Sequence, residues 1–329
     1  MLLIGNPSEA FEAIKKIILN FFNYSPQMQL KYLGLTLSKT APLIMVSLSV
    51  LFAFKAGLFN IGVAGQDVIG ACVCLYAAII WQLSWFSCML LAGLAGAFFG
   101  GILGILKAYK KVNEVISGIL VNWMALYFTN MILTSAKDLY ISETCLLKNQ
   151  APKAILPSVG LKAVFGEGSY VTIAIPLAII IAIIIYIILN KTKLGYEIKA
   201  TGFNRDATKY CGMSEKKNII VSLVISGCLA GLGASFLYLT DIERWILTSK
   251  NIPPMGFNGI LGAFMGLLNP IGTIFSSFFI QSITDSSISI NSNAYSPKMT
   301  EIILSIIVYL FGLFAFLKLV IFGKKRREK

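Results

Sequence analysis

The sequence predicts an all-α, polytopic membrane protein, and three observations carry that prediction. Hydrophobic residues make up 57% of the 329-residue chain and charged residues 13%, about half the charged share of a soluble domain. The apolar residues gather into runs near the roughly 20 positions that a helix needs to cross a bilayer. The basic residues, 28 against 15 acidic, collect between those runs, where they set orientation.

About nine hydrophobic segments follow along the chain, with eight to ten as the bounds. The first covers 41–54, its start open toward the N-terminus. The second, 61–80, is rich in glycine. The third, 86–106, carries Gly93, Gly96, Gly100 and Gly104 at spacings of three and four, a small-residue seam for helix packing. Segments 115–133, 171–189 and 219–239 follow, and Val171 to Leu189 is almost purely Ile, Ala and Leu. Segments 256–268 and 270–284 are short and broken at Leu268-Asn269-Pro270. Interrupted backbone at membrane depth survives only against protein or a water-filled cavity, so these two are expected as a re-entrant or tightly turned pair. The ninth segment is 301–321.

Residues 41–321 thus form the transmembrane domain, preceded by an extracytoplasmic or interfacial segment, 1–40, and followed by a basic tail, 322–329. Within 1–40, the stretch from Phe11 to Phe22 is too short and too charged to span and reads as an amphipathic helix on the membrane surface. Residues 191–217 carry a net +4, the tail 318–329 a net +5 and residues 107–114 a net +2, which makes all three cytoplasmic. The intervening segments 134–170, 240–255 and 284–300 are close to neutral and fall outside. The same parity places residues 1–40 outside despite Lys15, Lys16, Lys31 and Lys39.

Composition also excludes. The chain has no histidine, which removes Ser-His-Asp and Cys-His nucleophiles and every histidine metal site. The six cysteines contain no C-x-x-C pair and behave as small hydrophobes in apolar stretches. There is no G-x-x-x-x-G-K-[ST] phosphate loop, so any ATP is used by another subunit. The chain reads as neither an enzyme nor a cofactor protein.

The most specific stretch runs from Lys55 to Ala71, where Asn60, Gln66 and Asp67 stand in apolar surroundings. Polar and ionisable groups in such a place face a cavity or a partner. Together with its wording, G-L-F-N-I-G-V-x-G-Q, the stretch resembles the signature of ABC-importer permeases of the simple-sugar and nucleoside type, within the branched-chain amino acid/sugar permease superfamily. Three more stretches resemble that family in order: Val112-Asn-Glu-Val-Ile116 with Leu120-Val-Asn122; Thr192 to Asn204 continued by Ser226 to Gly231; and Gly256-Phe-Asn-Gly-Ile260 with Asn269-Pro-Ile-Gly272. Two positions depart from it: Ala64 and Asn258 stand where the family commonly has Glu and Asp.

The resemblance implies the ABC importer permease fold in a bacterial plasma membrane, and alternating access driven by a cytoplasmic ATPase. It also implies a second permease subunit, the same or a related chain, and an extracytoplasmic, often lipid-anchored, substrate-binding protein; nucleic acid has no part. The cargo is a nucleoside or simple sugar, with Asn60, Gln66, Asp67, Asn122 and Asn258 as candidates along its path. The same five side chains are equally readable as interhelical hydrogen-bonding glue. In the cytoplasmic loop 191–218, Asp206, Ala207, Thr208 and Gly212 match the spacing of the E-A-A-x-x-x-G element, with Asp206 favourably near a helix start; Asn204 stands beside them as a further coupling candidate. The resemblance implies that this loop docks on the ATPase. The alternatives are a branched-chain amino-acid permease and an ATP-independent transporter or channel, for which Asp67 is almost the lone titratable group. Finally, Gly5-Asn-Pro-Ser-Glu-Ala-Phe11 resembles a segment that follows a first membrane span in the family. The expectation is therefore that Met1 is an internal start or a truncation, with residues 5–40 outside.

Overall fold

The structure is a computed structural model; it describes residues 7–136, 144, 147–166, 169–246, 249–286 and, further on, 302–307, 309, 310 and 313. The expected tail 322–329 and most of the ninth segment lie outside the described residues. The N-terminal helix α1 (Pro7–Leu19) is amphipathic as expected, with an exposed Phe11 and an Lys16–Glu12 ion pair one turn apart. A 3-10 turn at Asn20–Asn23 leads to α2 (Pro26–Lys55), which starts with proline in its first turn, where the missing N–H is no loss.

At 1.5 Å per residue α2 is about 45 Å long, well beyond a hydrocarbon core of about 30 Å. The expected boundary at residue 40 therefore falls inside this helix. The reason is Lys39: its Nζ lies 3.0 Å from Oδ1 of Asp285, which Gln281 also reaches at 3.0 Å. Pairing lets a lysine sit within a helix that its charge alone argues against.

Helices α3 (Val63–Ile79), α4 (Trp85–Lys110) and α5 (Glu114–Ser135) follow, with the last turn of α4 joined to the first turn of α5 by the Lys107–Glu114 ion pair. Short helices α6 (Leu147–Gln150) and α7 (Leu161–Phe165) lie in the connection that follows α5. Next come α8 (Ala174–Lys191), α9 (Lys193–Phe203), α10 (Arg205–Tyr210) and α11 (Glu215–Tyr238). The pair expected around Leu268 is α12 (Met255–Met265) and α13 (Pro270–Ser286), joined by a tight turn in which Leu267 and Leu268 take positive φ. Phe264, near the end of α12, meets Phe54 and Phe59 at ring-centroid distances of 5.2 and 6.2 Å, so this hairpin turns at the level of the C-terminal end of α2.

The bundle is layered. In α2, 83% of the apolar window is buried, against 28% in α8, and within α3 only Val73 and Tyr76 escape full burial. Thus α2, α3 and α11 form the centre. Peripheral α8 turns Ala174, Ala178, Ala182, Ile185 and Leu189 inward and shows Ile180, Ile183, Ile184 and Ile187 outward, an apolar surface suited to lipid.

Apolar side chains gain nothing by leaving lipid for each other, so helices there associate through close packing of small residues. The seam on α4 does this against α11. A methyl group on Gly96 would collide with the carbonyl oxygen of Gly227, and one on Gly227 with that of Gly96. Gly70 brings α3 into the same contact, its position for a Cβ lying 2.6 Å from Cα of Gly231. Gly227→Leu is therefore expected to destabilise the bundle by at least the roughly 1–3 kcal/mol of an overpacked core and to abolish monodisperse yield in detergent. Gly101→Ala, whose added methyl would meet only Val224 Cγ2 at 3.4 Å, is expected to match the parent chain in the same size-exclusion and thermal-stability assay.

Candidate functional site

The site is built around an interruption. Between α2 and α3, residues 56–62 are not helical, yet they lie beside interior turns of the neighbouring spans: a Cβ on Gly62 would approach Leu103 Cδ1 to 2.6 Å and Gly118 Cα to 3.3 Å. Backbone polar groups in such a place must find partners within the protein. Gly62, the N-cap of α3, offers no side chain for this.

The partners come from other helices. Asn122 of α5 accepts a hydrogen bond from Gly65 N–H at 2.6 Å and donates one to the Ile61 carbonyl at 3.0 Å. Its amide thus caps α3 from outside. Asn60 within the break donates to Oε1 of Gln66 at 2.9 Å and to Oγ of Ser226 on α11 at 2.8 Å, and Ser226 in turn bonds the hydroxyl and carbonyl of Ser49 on α2. One polar chain therefore ties α2, α3 and α11 together at the break.

The structure places the five expected pathway residues in four settings. Asn60 and Gln66 are joined to each other and fully enclosed. Asp67, one residue on, is 1% exposed, with Oδ1 lacking a hydrogen-bond partner among the described residues. No ion pair among the described residues joins it to Lys55. Asn122 is both a cap and part of the wall of a cavity of about 300 Å³. Asn258 stands apart on α12, half-buried, next in sequence to Phe257 of that wall. The remaining wall includes Trp123, Asn251, Ile61 and Ile252. Asn251 and Phe257 escaped sequence reasoning because they belong to the non-helical approach to α12 and its first turn; the available signal was an asparagine just before the helix-stopping Ile252-Pro253-Pro254.

A second region is formed by α9 and α10. Asn204 caps α10, accepting from Ala207 N–H at 3.0 Å, while the buried Thr208 bonds back to the Asn204 carbonyl at 2.8 Å. Asp206 sits in the first turn. Gly212 has φ +74° with nothing within 4 Å of a Cβ, so glycine serves the left-handed turn that ends the helix. Phe203 and Tyr210 stand 94% and 92% exposed on this unit. At its base, α9 meets the break: the Cβ position of Gly57 (φ +70°) is 3.1 Å from Cα of Gly202.

Residues 32–312 match the family described as the branched-chain amino acid transport system / permease component. The chain is 31% identical over 288 residues to the nucleoside ABC transporter permease protein NupB of Lactococcus lactis subsp. cremoris, covering 84% of this chain and 78% of that one. It is also 31% identical over 290 residues to the guanosine ABC transporter permease protein NupP of Bacillus subtilis, covering 85% and 80%. The glucose ABC transporter permease protein TsgB13 of Haloferax volcanii is 28% identical, covering 75% and 67%. A solved structure of a metal-chelate type ABC transporter in an inward-facing conformation superposes with a TM-score of 0.51 at 13% identity, covering 94% of this chain and 99% of that one; it supports the fold.

Replacing Asn122 by Leu leaves the Ile61 carbonyl and the Gly65 N–H unanswered, at about 1–3 kcal/mol for each such buried group. A clear drop in thermal midpoint in detergent is expected. Asn258→Leu, which removes no side-chain hydrogen bond among the described residues, is expected to move that midpoint little.

Proposed function

The chain belongs to this family of permease components, and from that membership we propose that it imports a nucleoside with energy supplied by a separate ATPase. As an ABC importer permease it is a multi-pass membrane protein, is not itself catalytic, and works with an ATPase and a substrate-binding protein. The observation that carries the choice of cargo is the likeness, at 31% identity over more than four-fifths of the chain, to two permeases named for nucleosides and guanosine. The more distant likeness to a glucose permease makes a simple sugar the second reading.

Alternating access in this reading uses two permease subunits, this chain and a same or related partner. The ATPase docks on the α9–α10 unit, where Phe203 and Tyr210 project as apolar anchors and Asn204, Asp206, Ala207, Thr208 and Gly212 shape the helix between them. Asn60, Gln66, Asp67, Asn122 and Asn258 surround the path, with Asn122 nearest its open part. ATP-independent transport needs a titratable relay through the membrane, and no ion pair among the described residues joins Asp67 to a cation.

Reconstitution in liposomes with the cognate ATPase, second permease and binding protein tests this. ATP-dependent uptake of labelled guanosine or adenosine, with leucine inert, is expected. The double variant Phe203→Ala, Tyr210→Ala is expected to insert normally, to lose most ATP-driven uptake and to release the ATPase during purification. Uptake without ATP, or import of glucose or leucine with nucleosides inert, overturns the reading.

A further inference from the structure

We propose that the cavity between α5 and the approach to α12 is a nucleobase clamp, in which Trp123 and Phe257 provide stacking surfaces and the Asn251 amide reads the base edge. The proposal rests on the nucleoside reading and adds where, and by what chemistry, the base is recognised.

Four features of the cavity lead there. Its volume, about 300 Å³, is at the lower end of the range of small-molecule sites, room for a flat heterocycle rather than a bulky chain. Trp123 and Phe257 in its wall are 42% and 39% exposed, so ring surface is available to a ligand. Trp123 is also held: Tyr127, one turn further along α5, stacks on it with centroids 6.0 Å apart and 25° between planes. A ring whose plane is fixed in advance loses less freedom when a base settles on it.

The third feature separates a base from lipid. The wall contains the amides of Asn122 and Asn251, and Asn251 and Ile252 belong to non-helical chain. The Asn251 side chain makes no hydrogen bond among the described residues and is exposed. Hydrocarbon cannot satisfy such groups. An acyl chain is therefore the wrong occupant. The fourth separates a base from a free sugar. The wall holds two amides and no charged side chain, too few polar groups for a ring of hydroxyls. Aromatic faces with one or two amides are the means by which proteins hold single unstacked bases, and an asparagine amide matches a donor–acceptor pair on a purine edge.

The complete transporter in liposomes, with saturating nucleoside-loaded binding protein, provides the test. Initial uptake of labelled guanosine and labelled uridine is measured in the same preparation, so that their ratio is independent of folded yield. Loss of a stacking partner weakens base binding by roughly 5- to 100-fold. Trp123→Leu is expected to lower guanosine uptake by about that factor and uridine, with its smaller ring, by clearly less. Trp123→Phe keeps the ratio near its parent value. Asn251→Ala is expected to change the guanosine-to-uridine ratio with insertion intact, and photolysis of 8-azidoguanosine to label the peptide carrying Trp123 or Phe257. A parent ratio retained in Trp123→Leu and Asn251→Ala, or label confined to other peptides, overturns the clamp while guanosine import by the parent chain leaves the functional reading standing. A parent transporter that imports no nucleoside overturns that reading, and the clamp with it.

Discussion

Everything in this bundle is arranged around two hydrogen bonds, those that Asn122 makes to Ile61 and Gly65. A chain that leaves helical geometry where protein encloses it takes N–H and C=O groups away from water without giving them partners. The residues from 56 to 62 do so, and one side-chain amide on a neighbouring helix answers a carbonyl and an amide at once. That requires α3 and α5 to approach closely, which explains Gly65 and Gly118: a Cβ on Gly65 would lie 2.7 Å from Asn122 Cα, and one on Gly118 2.7 Å from Gly62 N. Much of the glycine-rich wording of the stretch from Lys55 to Ala71 is the geometric consequence of healing one break.

The same logic extends outward. Small residues bring α4, α11 and α3 into backbone contact, and the polar chain from Asn60 through Ser226 to Ser49 adds directionality that packing alone lacks. Interhelical hydrogen bonds and close approach are the two forces left once the hydrophobic effect no longer discriminates inside from outside. The motifs shared with the permease family take on structural roles in this light. Thr192 caps α9 and Gly195 lets that helix cross the backbone of Leu189; Asn113 caps α5 through Val115 N–H.

The spans were legible because apolar runs and basic blocks are local properties. Where α2 begins was not, since the charge of Lys39 is answered by Asp285, 246 residues away, and no window along the chain contains both. The candidate path residues were legible as polar groups in apolar context, but their division of labour was not. Asn60 and Asn122 are alike in sequence; the difference arises because the break turns one toward Ser226 and leaves the other at the wall of a cavity. Gly212 shows the converse. Its smallness reads as room for a neighbour, whereas its φ of +74° in open space makes it a stop for α10. Asn251 and Phe257 gain meaning only when the approach to α12 is folded against α5.

The meeting of Gly57 and Gly202 is a joint without backlash. Where side chains separate two moving parts, rotamer changes take up the first part of any displacement. Here main chain bears on main chain, and a methyl group on Gly202 would collide with the Lys55 carbonyl. The far side of α9 is fastened as well, Asn218 of α11 donating to Thr201 at 2.9 Å. Any displacement of α9 therefore bears directly on the chain entering the break, with no side chain between them to absorb it.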